Sequence, residues 1–405
     1  VDRCLASDPA KRFPNAQAVL DRLIMRERFR TRRPLILLGL VLPMLLLLGI
    51  APLAIQAMRD AINTTQSSLS RRALESDVLS ANLLAEGIKR DLDDRLTELE
   101  TIAAEDDLRQ AVVDYASKPR DERQPLWDLL NNYKKRYDRR WSELGRSLDD
   151  SWFLQDETGI QRWRDVISMS LDGDYDFRDY FHGGGFHYTE SEVPVGVEPI
   201  RKRYVCVPYR GTTTKQYLIA LSVPIFAPND DTRVIGVLAR SLSLSSLLRD
   251  YEKSLRSQRA DGVPRKFAIV DSRLPSNGRR EWKLLAHDWM TKANLDKLDS
   301  EGFEKLRLLG VADAEVLSDL EQLVDMDDSV EGRYDIDRTR FYIDPVGQMD
   351  PVAYGGEWLA AFSPVGETGW VAIVQERKTR ALQPVEELET RMYSWALGAV
   401  LLGLG

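Results

Sequence analysis

The chain has 405 residues, a formal net charge of -8 and only two cysteines, Cys4 and Cys206. Its length exceeds that of one average domain and predicts two or three folded units. The acidic balance excludes a protein built mainly to bind nucleic acid, because phosphate recognition needs clustered lysine and arginine. Two distant cysteines exclude a disulfide framework.

The first segment, residues 3–23, reads "RCLASDPAKRFPNAQAVLDRL". Asp8-Pro9 predicts a helix with proline in its first turn, and Asn15 predicts the N-cap of the next helix. The segment resembles the last helices of a protein kinase C-lobe, which implies the tail of a cytoplasmic serine/threonine kinase. An unrelated pair of juxtamembrane helices is the alternative. The chain has no Gly-rich loop, His-Arg-Asp or Asp-Phe-Gly motif, so we predict no catalytic residue in it.

Residues 34–58 contain no Asp, Glu, Lys or Arg and are almost all apolar. A helix of this length, rising about 1.5 Å per residue, covers the roughly 30 Å of a bilayer core. We therefore predict a transmembrane helix at 34–58. Six arginines lie between residues 22 and 33, which predicts that residues 1–33 are cytoplasmic and that residues 59–392 lie outside the plasma (inner) membrane.

The C-terminal residues 392–405 are apolar but too short to cross a bilayer. We interpret residues 386–405 as a helix entering a second transmembrane span. A buried C-terminal helix is the alternative.

A long amphipathic helix is predicted beyond the first span. Apolar residues from Leu74 to Ile102 follow three- and four-residue steps with charges between them, which indicates one helix from near Asp60 to about Tyr115. It fills most of a predicted stalk at residues 59–119. Such a helix commonly packs against a partner copy, so we predict a homodimer through the stalk.

Short apolar strands separated by polar turns follow the stalk in two cycles. The first cycle has a predicted hairpin, a strand pair and a helix, at 151–164, 216–226 with 233–244, and "SLSSLLRDYEKSL". The second cycle has four predicted strands and a charged helical insert, at 266–272, 282–288, 357–365, 369–376 and 292–323. The two cycles predict two antiparallel sheets attached to one helix.

Four segments carry a resemblance to the double Cache (dCache) sensor domains of bacterial receptors: "FLQDETG", "FRDYFHG", "ALSVPIF" with "RVIGVLARSLSLSSLL", and "EWLAAFSPVGETGWVAIVQE". The resemblance covers roughly residues 60 to 390. It implies an α+β fold, in which a long stalk helix carries two tandem PAS-like antiparallel sheets between flanking transmembrane helices. The implied domains are a membrane-distal ligand domain at 120–250 and a membrane-proximal domain at 251–385.

The resemblance also implies a ligand site in the membrane-distal sheet, where an Arg-x-aromatic-aromatic element lines the pocket of the family. Arg178, Tyr180 and Phe181 fall on that element. They imply a guanidinium that binds a small carboxylate, a hydroxyl donor and an apolar wall. Amino-acid-sensing members hold the ligand ammonium with an Asp where this chain has Ser241. An amino-acid-like ligand therefore stays open, with Asp174 or Asp176 as a candidate replacement for the missing carboxylate.

Other interpretations of these residues are also open. Arg178 could brace the sheet through Asp156 or Asp174 without a working pocket. His182 and His187 have no spacing that fits a zinc site, so we predict no metal. The chain has no motif of a cofactor-binding fold, so we predict no cofactor.

The combined interpretation is a small-molecule sensor region of a transmembrane serine/threonine protein kinase, which transmits ligand binding across the membrane. The alternatives are a partner-binding or envelope-anchoring module without a small ligand, and the input module of another signalling receptor. An enzyme outside the membrane is a third alternative, which would need a catalytic group that the sequence does not reveal.

Overall fold

The computed structural model describes residues 4–165, 170–210, 217–257, 264–273, 282–312, 314–325 and 341–404. The chain forms two compact units. One unit contains residues 1–68 and 384–405, and the other contains residues 69–383. All the side chains discussed as functional below lie in the second unit.

The first unit begins with the predicted cap residues in place. Asp8 accepts a hydrogen bond from the Ala10 amide at 3.0 Å and caps a single 3-10 turn, Pro9–Lys11. Asn15 Oδ1 accepts one from the Ala18 amide at 2.8 Å, which confirms its prediction as the N-cap of the following helix. That helix is α1, Ala16–Ala103.

The predicted membrane spans are not shown. In the part of the chain that the structure describes, no helix has a stretch long and apolar enough to cross a membrane. Most side chains of residues 34–58, and several near the C-terminus, lie outside the described residues. Both spans therefore stay predictions.

The long helix ends earlier than predicted. Glu105 takes an extended conformation, with φ -67° and ψ 128°, and a separate helix, α2, follows at Asp106–Tyr115. Asp106 and Asp107 lie in the first turn of α2, where carboxylates favour a helix start. The prediction of one continuous helix to residue 115 is therefore wrong. A third helix, α3 at Gln124–Glu143, was not predicted.

The first sheet has six antiparallel strands in the order β2-β1-β6-β5-β3, and β4 also pairs with β5. The strands are β1 Ser151–Asp156, β2 Gln161–Arg164, β3 Tyr204–Val205, β4 Tyr209–Arg210, β5 Tyr217–Ala227 and β6 Asp230–Ser243. The hairpin and the strand pair of the first cycle are confirmed.

The second sheet has five antiparallel strands in the order β8-β7-β11-β10-β9. The strands are β7 Lys266–Asp271, β8 Lys283–His287, β9 Phe341–Ile343, β10 Glu357–Pro364 and β11 Trp370–Arg377. The four strands predicted for the second cycle are present, and β9 was not predicted.

Further helices follow α3 along the described part of the chain. They are α4 Asp179–His182, α5 Leu244–Ser257, α6 Lys292–Leu295, α7 Ser300–Leu308, α8 Ala314–Asp325, α9 Pro351–Tyr354, α10 Lys378–Ala381 and α11 Gln383–Leu404. Helices α6 to α8 form the insert that the sequence predicted between 292 and 323.

One apolar core joins α1 to the inner faces of both sheets. Side chains that point inward alternate along each strand with side chains that point outward. The core contains, among others, Leu84, Ile88, Trp152, Leu154, Ile269 and Val374. The α+β fold class with a long helix and two antiparallel sheets is confirmed.

The outer faces of the two sheets are covered differently. A second apolar cluster fills the outer face of the second sheet, where Phe362 and Ile373 pack with Leu306 of α7 and Leu320 of α8. The outer face of the first sheet carries a smaller cluster, covered by α4 and by loops between residues 170 and 210. This loop-covered face holds the residues that the sequence predicted as a ligand site.

Candidate functional site

Five polar or aromatic side chains form a chain of contacts on the outer face of the first sheet. The Tyr180 and Tyr209 ring centroids are 5.8 Å apart, and the Arg178 guanidinium lies over the Tyr209 ring at 5.4 Å. Ser241 interacts with Tyr209 and, through Ser151, with Arg164. We call Arg164, Arg178, Tyr180, Tyr209 and Ser241 the first-sheet site.

Arg178 lies between aromatic rings and carries an unpaired charge. Its guanidinium is 4.7 Å from the centre of the Phe177 ring, in addition to its contact with Tyr209. Among the described residues it forms no ion pair. Its half-buried cation therefore interacts with the negative faces of two rings but has no counter-charge.

The structure does not show the bracing role considered for Arg178. Asp156 Oδ2 instead accepts a hydrogen bond from Arg162 Nε at 2.6 Å. Asp174 is exposed, and its carboxylate accepts from the Asp176 amide at 3.1 Å. Asp174 thus caps its own loop and does not join the first-sheet site.

Tyr180 and Phe181 are both buried, but they face different neighbours. The Tyr180 ring packs 5.0 Å from Phe153, and its hydroxyl makes no hydrogen bond to any described residue. Burial raises the pKa of Tyr180, against the positive charges of Arg178 and Arg164. Phe181 is fully buried and packs in the apolar cluster behind the site. Its role as the apolar wall of a ligand pocket stays a prediction, whereas the Tyr180 hydroxyl is a donor without an acceptor among the described residues.

Arg164 is a second unpaired cation that the sequence did not single out. Its Nη1 and Nη2 donate to the hydroxyls of Ser170 and Ser151, each at 3.2 Å. Ser151 and Ser241 Oγ are 2.8 Å apart, and Ser241 is almost fully buried. Arg164 forms no ion pair in the described part of the chain. Its position at the end of the "IQRWR" strand was the only sequence signal.

Asp179 fixes the loops that carry Arg178 and Tyr180. Its fully buried carboxylate accepts from the Gly185 amide at 2.6 Å and from the Val207 amide at 2.7 Å. The Tyr204 hydroxyl donates to it at 3.1 Å. These bonds join α4 to the segment before β4, so Asp179 positions the two neighbouring side chains.

Two histidines lie beside the site, and each ring accepts a hydrogen bond from a backbone amide. The Asp179 amide donates to His187 Nδ1 at 3.1 Å, and the Gly184 amide donates to His182 Nδ1 at 3.1 Å. Burial and the nearby charge of Arg178 lower the pKa of His187 to about 4. The His187 ring is therefore neutral at pH 7 and adds no charge to the site.

The chemistry of the first-sheet site is that of an anion receptor. It combines two guanidinium groups, buried hydroxyls and aromatic walls, and no described carboxylate pairs with either cation. Guanidinium groups bind carboxylates with two parallel hydrogen bonds, and the low dielectric of a buried site strengthens them. The site offers no anionic group for a ligand ammonium, because Asp174 faces solvent and Asp179 is engaged by backbone donors.

No family model and no curated protein matches this chain. Several solved sensor domains are similar to it. The ligand-binding domain of the Campylobacter jejuni chemoreceptor Tlp3, in complex with 4-methylisoleucine, is 14% identical, with 78% of this chain and 94% of that chain covered and a TM-score of 0.42. The sensor domain of the V. cholerae histidine kinase DctB is 13% identical, with coverage of 76% and 97% and a TM-score of 0.42.

The ligand-binding domain of the Pseudomonas fluorescens chemoreceptor CtaA, in complex with L-leucine, is 15% identical, with coverage of 79% and 99% and a TM-score of 0.40. At these identities and TM-scores no residue role is carried over from any of the three structures to this chain.

Proposed function

We propose that this chain is a sensor region that binds a small organic acid at the first-sheet site. One observation carries the proposal. Arg178 and Arg164 lie near Tyr180 and Tyr209, and within the described residues neither cation has a counter-charge. Both guanidinium groups are half-buried. Removing a charge from water without a partner is unfavourable, so an anionic ligand would supply the missing counter-charge.

The proposed ligand carries a carboxylate and needs no ammonium. Ser241 offers a hydroxyl where an ammonium-binding site would need a carboxylate, and it is already bonded to Ser151. The Tyr180 hydroxyl provides a further donor at the same place. A carboxylate without a second, positive charge therefore fits the site better than an α-amino acid.

The test is equilibrium binding to the full chain in lipid nanodiscs. The probes are acetate, pyruvate and succinate, with acetamide as the uncharged analogue of acetate. We expect at least one carboxylate to bind and to raise the melting temperature, while acetamide does neither. Arg178→Gln and Arg164→Gln should each weaken binding by about 10- to 100-fold, which is the range for a lost hydrogen-bonded charge.

Arg233→Gln is the matched control, because Arg233 lies on the same sheet in an exposed ion pair with Glu157 at 3.3 Å. It should leave binding unchanged. The proposal fails if no carboxylate binds the wild-type chain, or if Arg178→Gln and Arg233→Gln behave alike. A chain that ignores small acids but captures an envelope protein would favour a partner-binding module.

We further propose that the sensor region lies outside the membrane of a bacterial serine/threonine kinase and that residues 1–33 are cytoplasmic. The kinase-like segment "CLASDPAKRF" and the arginines before residue 34 support this assignment. Cys4 is exposed and Cys206 is buried. The Cys4 thiol can therefore report on which side of the membrane the N-terminal segment lies.

A membrane-impermeant maleimide on intact cells tests the topology. We expect it to leave the natural chain unlabelled and to label Glu143→Cys, since Glu143 is exposed in the second unit. Labelling of Cys4 in intact cells would contradict the proposed orientation. Labelling of Glu143→Cys only after permeabilisation would contradict it as well.

A homodimer through α1 is part of the same proposal. Leu79 and Leu83 are 58% and 50% exposed, and they lie one helical turn apart on α1. An exposed apolar pair on a helix fits a partner helix. Leu83→Glu should shift the sedimentation of the full chain from dimer to monomer, whereas Glu86→Gln on the same helix should not. A wild-type chain that sediments as a monomer would exclude the dimer.

A further inference from the structure

The central strand β6 places two neighbouring side chains on opposite faces of the first sheet. Ser241 belongs to the first-sheet site on the outer face. Arg240, the residue before it, is fully buried on the inner face and contacts Glu98 of α1. This alternation follows from the two-residue period of a strand. A displacement of β6 therefore moves the ligand site and the contact with α1 together.

The Arg240 side chain joins β6 to α1 by two direct contacts. Its Nη2 donates to Glu98 Oε2 at 2.9 Å and to the carbonyl oxygen of Arg95. Its Nη1 donates to Asp149 Oδ2 at 3.2 Å. One guanidinium group thus holds three acceptors in place, and two of these acceptors belong to α1.

Arg240 is part of a buried network in which three guanidinium groups contact three carboxylates. The ion pairs are Arg95 with Asp91 and Asp149, Arg240 with Glu98 and Asp149, and Arg140 with Glu98. We call these six residues the α1 network. All of its side chains except that of Arg140 are at most 7% exposed. Burial raises the pKa of Asp149, but the charges of Arg240 and Arg95 lower it further, so this carboxylate is held in its charged form.

The α1 network also reaches the second strand of the first-sheet site. Asp149 accepts from Trp152 Nε1 at 2.6 Å and pairs with the Arg95 guanidinium of α1. It lies two residues before Ser151, whose Oγ is 2.8 Å from Ser241 Oγ. Each of these two hydroxyls therefore lies within two residues of a side chain that is bonded to α1.

We propose that the α1 network couples the first-sheet site to α1, with Arg240 as the residue that joins the two. The proposal rests on the proposed function, because it assumes that the site binds an acid. An acid bound to Arg164 changes the hydrogen bond from Arg164 Nη2 to Ser151, which pairs with Ser241 of β6. The energy of a buried ion pair changes steeply with distance, so a small displacement of β6 alters the contacts with α1. Coupling is reciprocal, so the position of α1 also sets the affinity for the acid.

Acid affinity of the full chain in lipid nanodiscs is the first test. Glu98→Gln keeps an acceptor for Trp141 and Arg240 but removes the charge that holds Arg240 to α1. With acetate, pyruvate or succinate as the probe, it should weaken binding by about 5-fold or more. Glu100→Gln is the matched control, because Glu100 lies on α1 in an exposed contact with Arg203 at 3.8 Å. Its affinity should change by less than about 2-fold.

Amide hydrogen exchange of residues 91–100 of α1 is the reciprocal test. Saturating acid should slow this exchange in the natural chain and in Glu100→Gln, and the slowing should be smaller in Glu98→Gln. A purely global stabilisation by the acid would slow it equally in all three proteins and would overturn the coupling. If Glu98→Gln does not fold, Arg240→Lys replaces it, because lysine keeps the charge but lacks the fork that contacts Glu98 and Asp149 at once.

Failure of the coupling and failure of the proposed function are distinguishable. Acid binding of equal affinity in the natural chain and in Glu98→Gln would overturn the coupling and leave the proposed function intact. A natural chain that binds no acid would overturn the proposed function. The coupling is then decided without ligand, by the denaturation midpoints of Ser241→Ala, Glu98→Gln and the double variant. Shifts of the midpoint that are not additive support the coupling, and additive shifts overturn it.

Discussion

The two sheets share one topology, but the same position is used differently in each. Ser241 on the central strand β6 lies opposite Ser151, the first residue of β1, and opposite Ala220 of β5. Gln375 on the central strand β11 lies opposite Lys266, the first residue of β7, and opposite Ala360 of β10. Ser241 and Gln375 are therefore equivalent positions on the two outer faces.

In the second sheet this position is filled by the chain's own residues. Gln375 Nε2 donates to Asp344, and His287 Nε2 is 3.0 Å from the same carboxylate. The Val346 amide donates to Asp344 at 2.8 Å. This carboxylate thus has several internal partners, and helices α7 and α8 cover the apolar face beside it.

In the first sheet no carboxylate of the described residues hydrogen-bonds to the equivalent position, Ser241. Ser241 is surrounded by a hydroxyl, by Tyr209 and, through Ser151, by Arg164. Loops rather than two helices cover this face. The comparison teaches that the architecture of a sheet does not by itself indicate a ligand site, and that the proposal of one depends on charges without an internal partner.

The largest expected effect is a loss of stability at the second sheet that leaves ligand binding at the first sheet unchanged. Asp344→Ala removes the acceptor of His287 and Gln375, both of which are buried. Leaving these donors unpaired should lower the free energy of unfolding by about 3 kcal/mol. Binding of an organic acid at the first-sheet site should not change. Chemical denaturation and equilibrium binding on the full chain measure the two quantities.

Asp296→Ala is the control for this substitution, because Asp296 is an exposed carboxylate of the same unit, at the end of α6. Its effect should stay within about 0.5 kcal/mol. A loss of acid binding in Asp344→Ala, at concentrations of folded protein equal to the control, would mean that the two outer faces are not independent.

The next largest expected effect is a pH dependence of stability that arises at the loop-covered face of the first sheet. The pKa of His187 is about 4 in the folded chain, below the value of about 6.5 expected after unfolding. The neutral ring contributes its full stability above pH 6.5, and this contribution is lost as the pH falls toward 4, because only the unfolded chain takes up the proton. The change across that window should be about 2 kcal/mol.

His187→Gln keeps an acceptor for the Asp179 amide but cannot take up a proton. We expect its unfolding free energy to vary less between pH 7 and pH 4.5 than that of the natural chain. Denaturation curves at both pH values provide the measurement. Equal pH dependence in the two proteins would show that His187 is not held neutral by burial and by Arg178.

The sequence predicted the sheets well because their signal is local. Short apolar runs bounded by turn residues, such as those in "WFLQD" and "WVAIVQE", indicate a strand. The break of α1 before Asp106 was missed because the apolar repeat continues through Leu108 and Val112, which are buried in α2. A period of three or four residues does not reveal one extended residue between two helices.

The candidate site was predicted only in part, for a similar reason. Arg178 and Tyr180 belong to one short motif and could be found together. Arg164 was missed because its role depends on Ser151 and Ser241, which reach it from other strands. Asp179 was missed because its donors are backbone amides at Gly185 and Val207, which have no side-chain signature.

The smallest expected effect compares the two equivalent positions directly. Ser241→Ala removes the 2.8 Å contact with Ser151, but the Ser151 hydroxyl keeps Arg164 Nη2 as a donor. The substitution should therefore lower the free energy of unfolding by less than about 1 kcal/mol relative to the natural chain. Gln375→Ala removes a larger buried side chain and a donor to Asp344, and should cost about 2 kcal/mol. Chemical denaturation of both variants under one condition measures the two free energies of unfolding. If Ser241→Ala were as destabilising as Gln375→Ala, the outer face of the first sheet would be a packed core like that of the second sheet. Such a core would leave no space for a ligand.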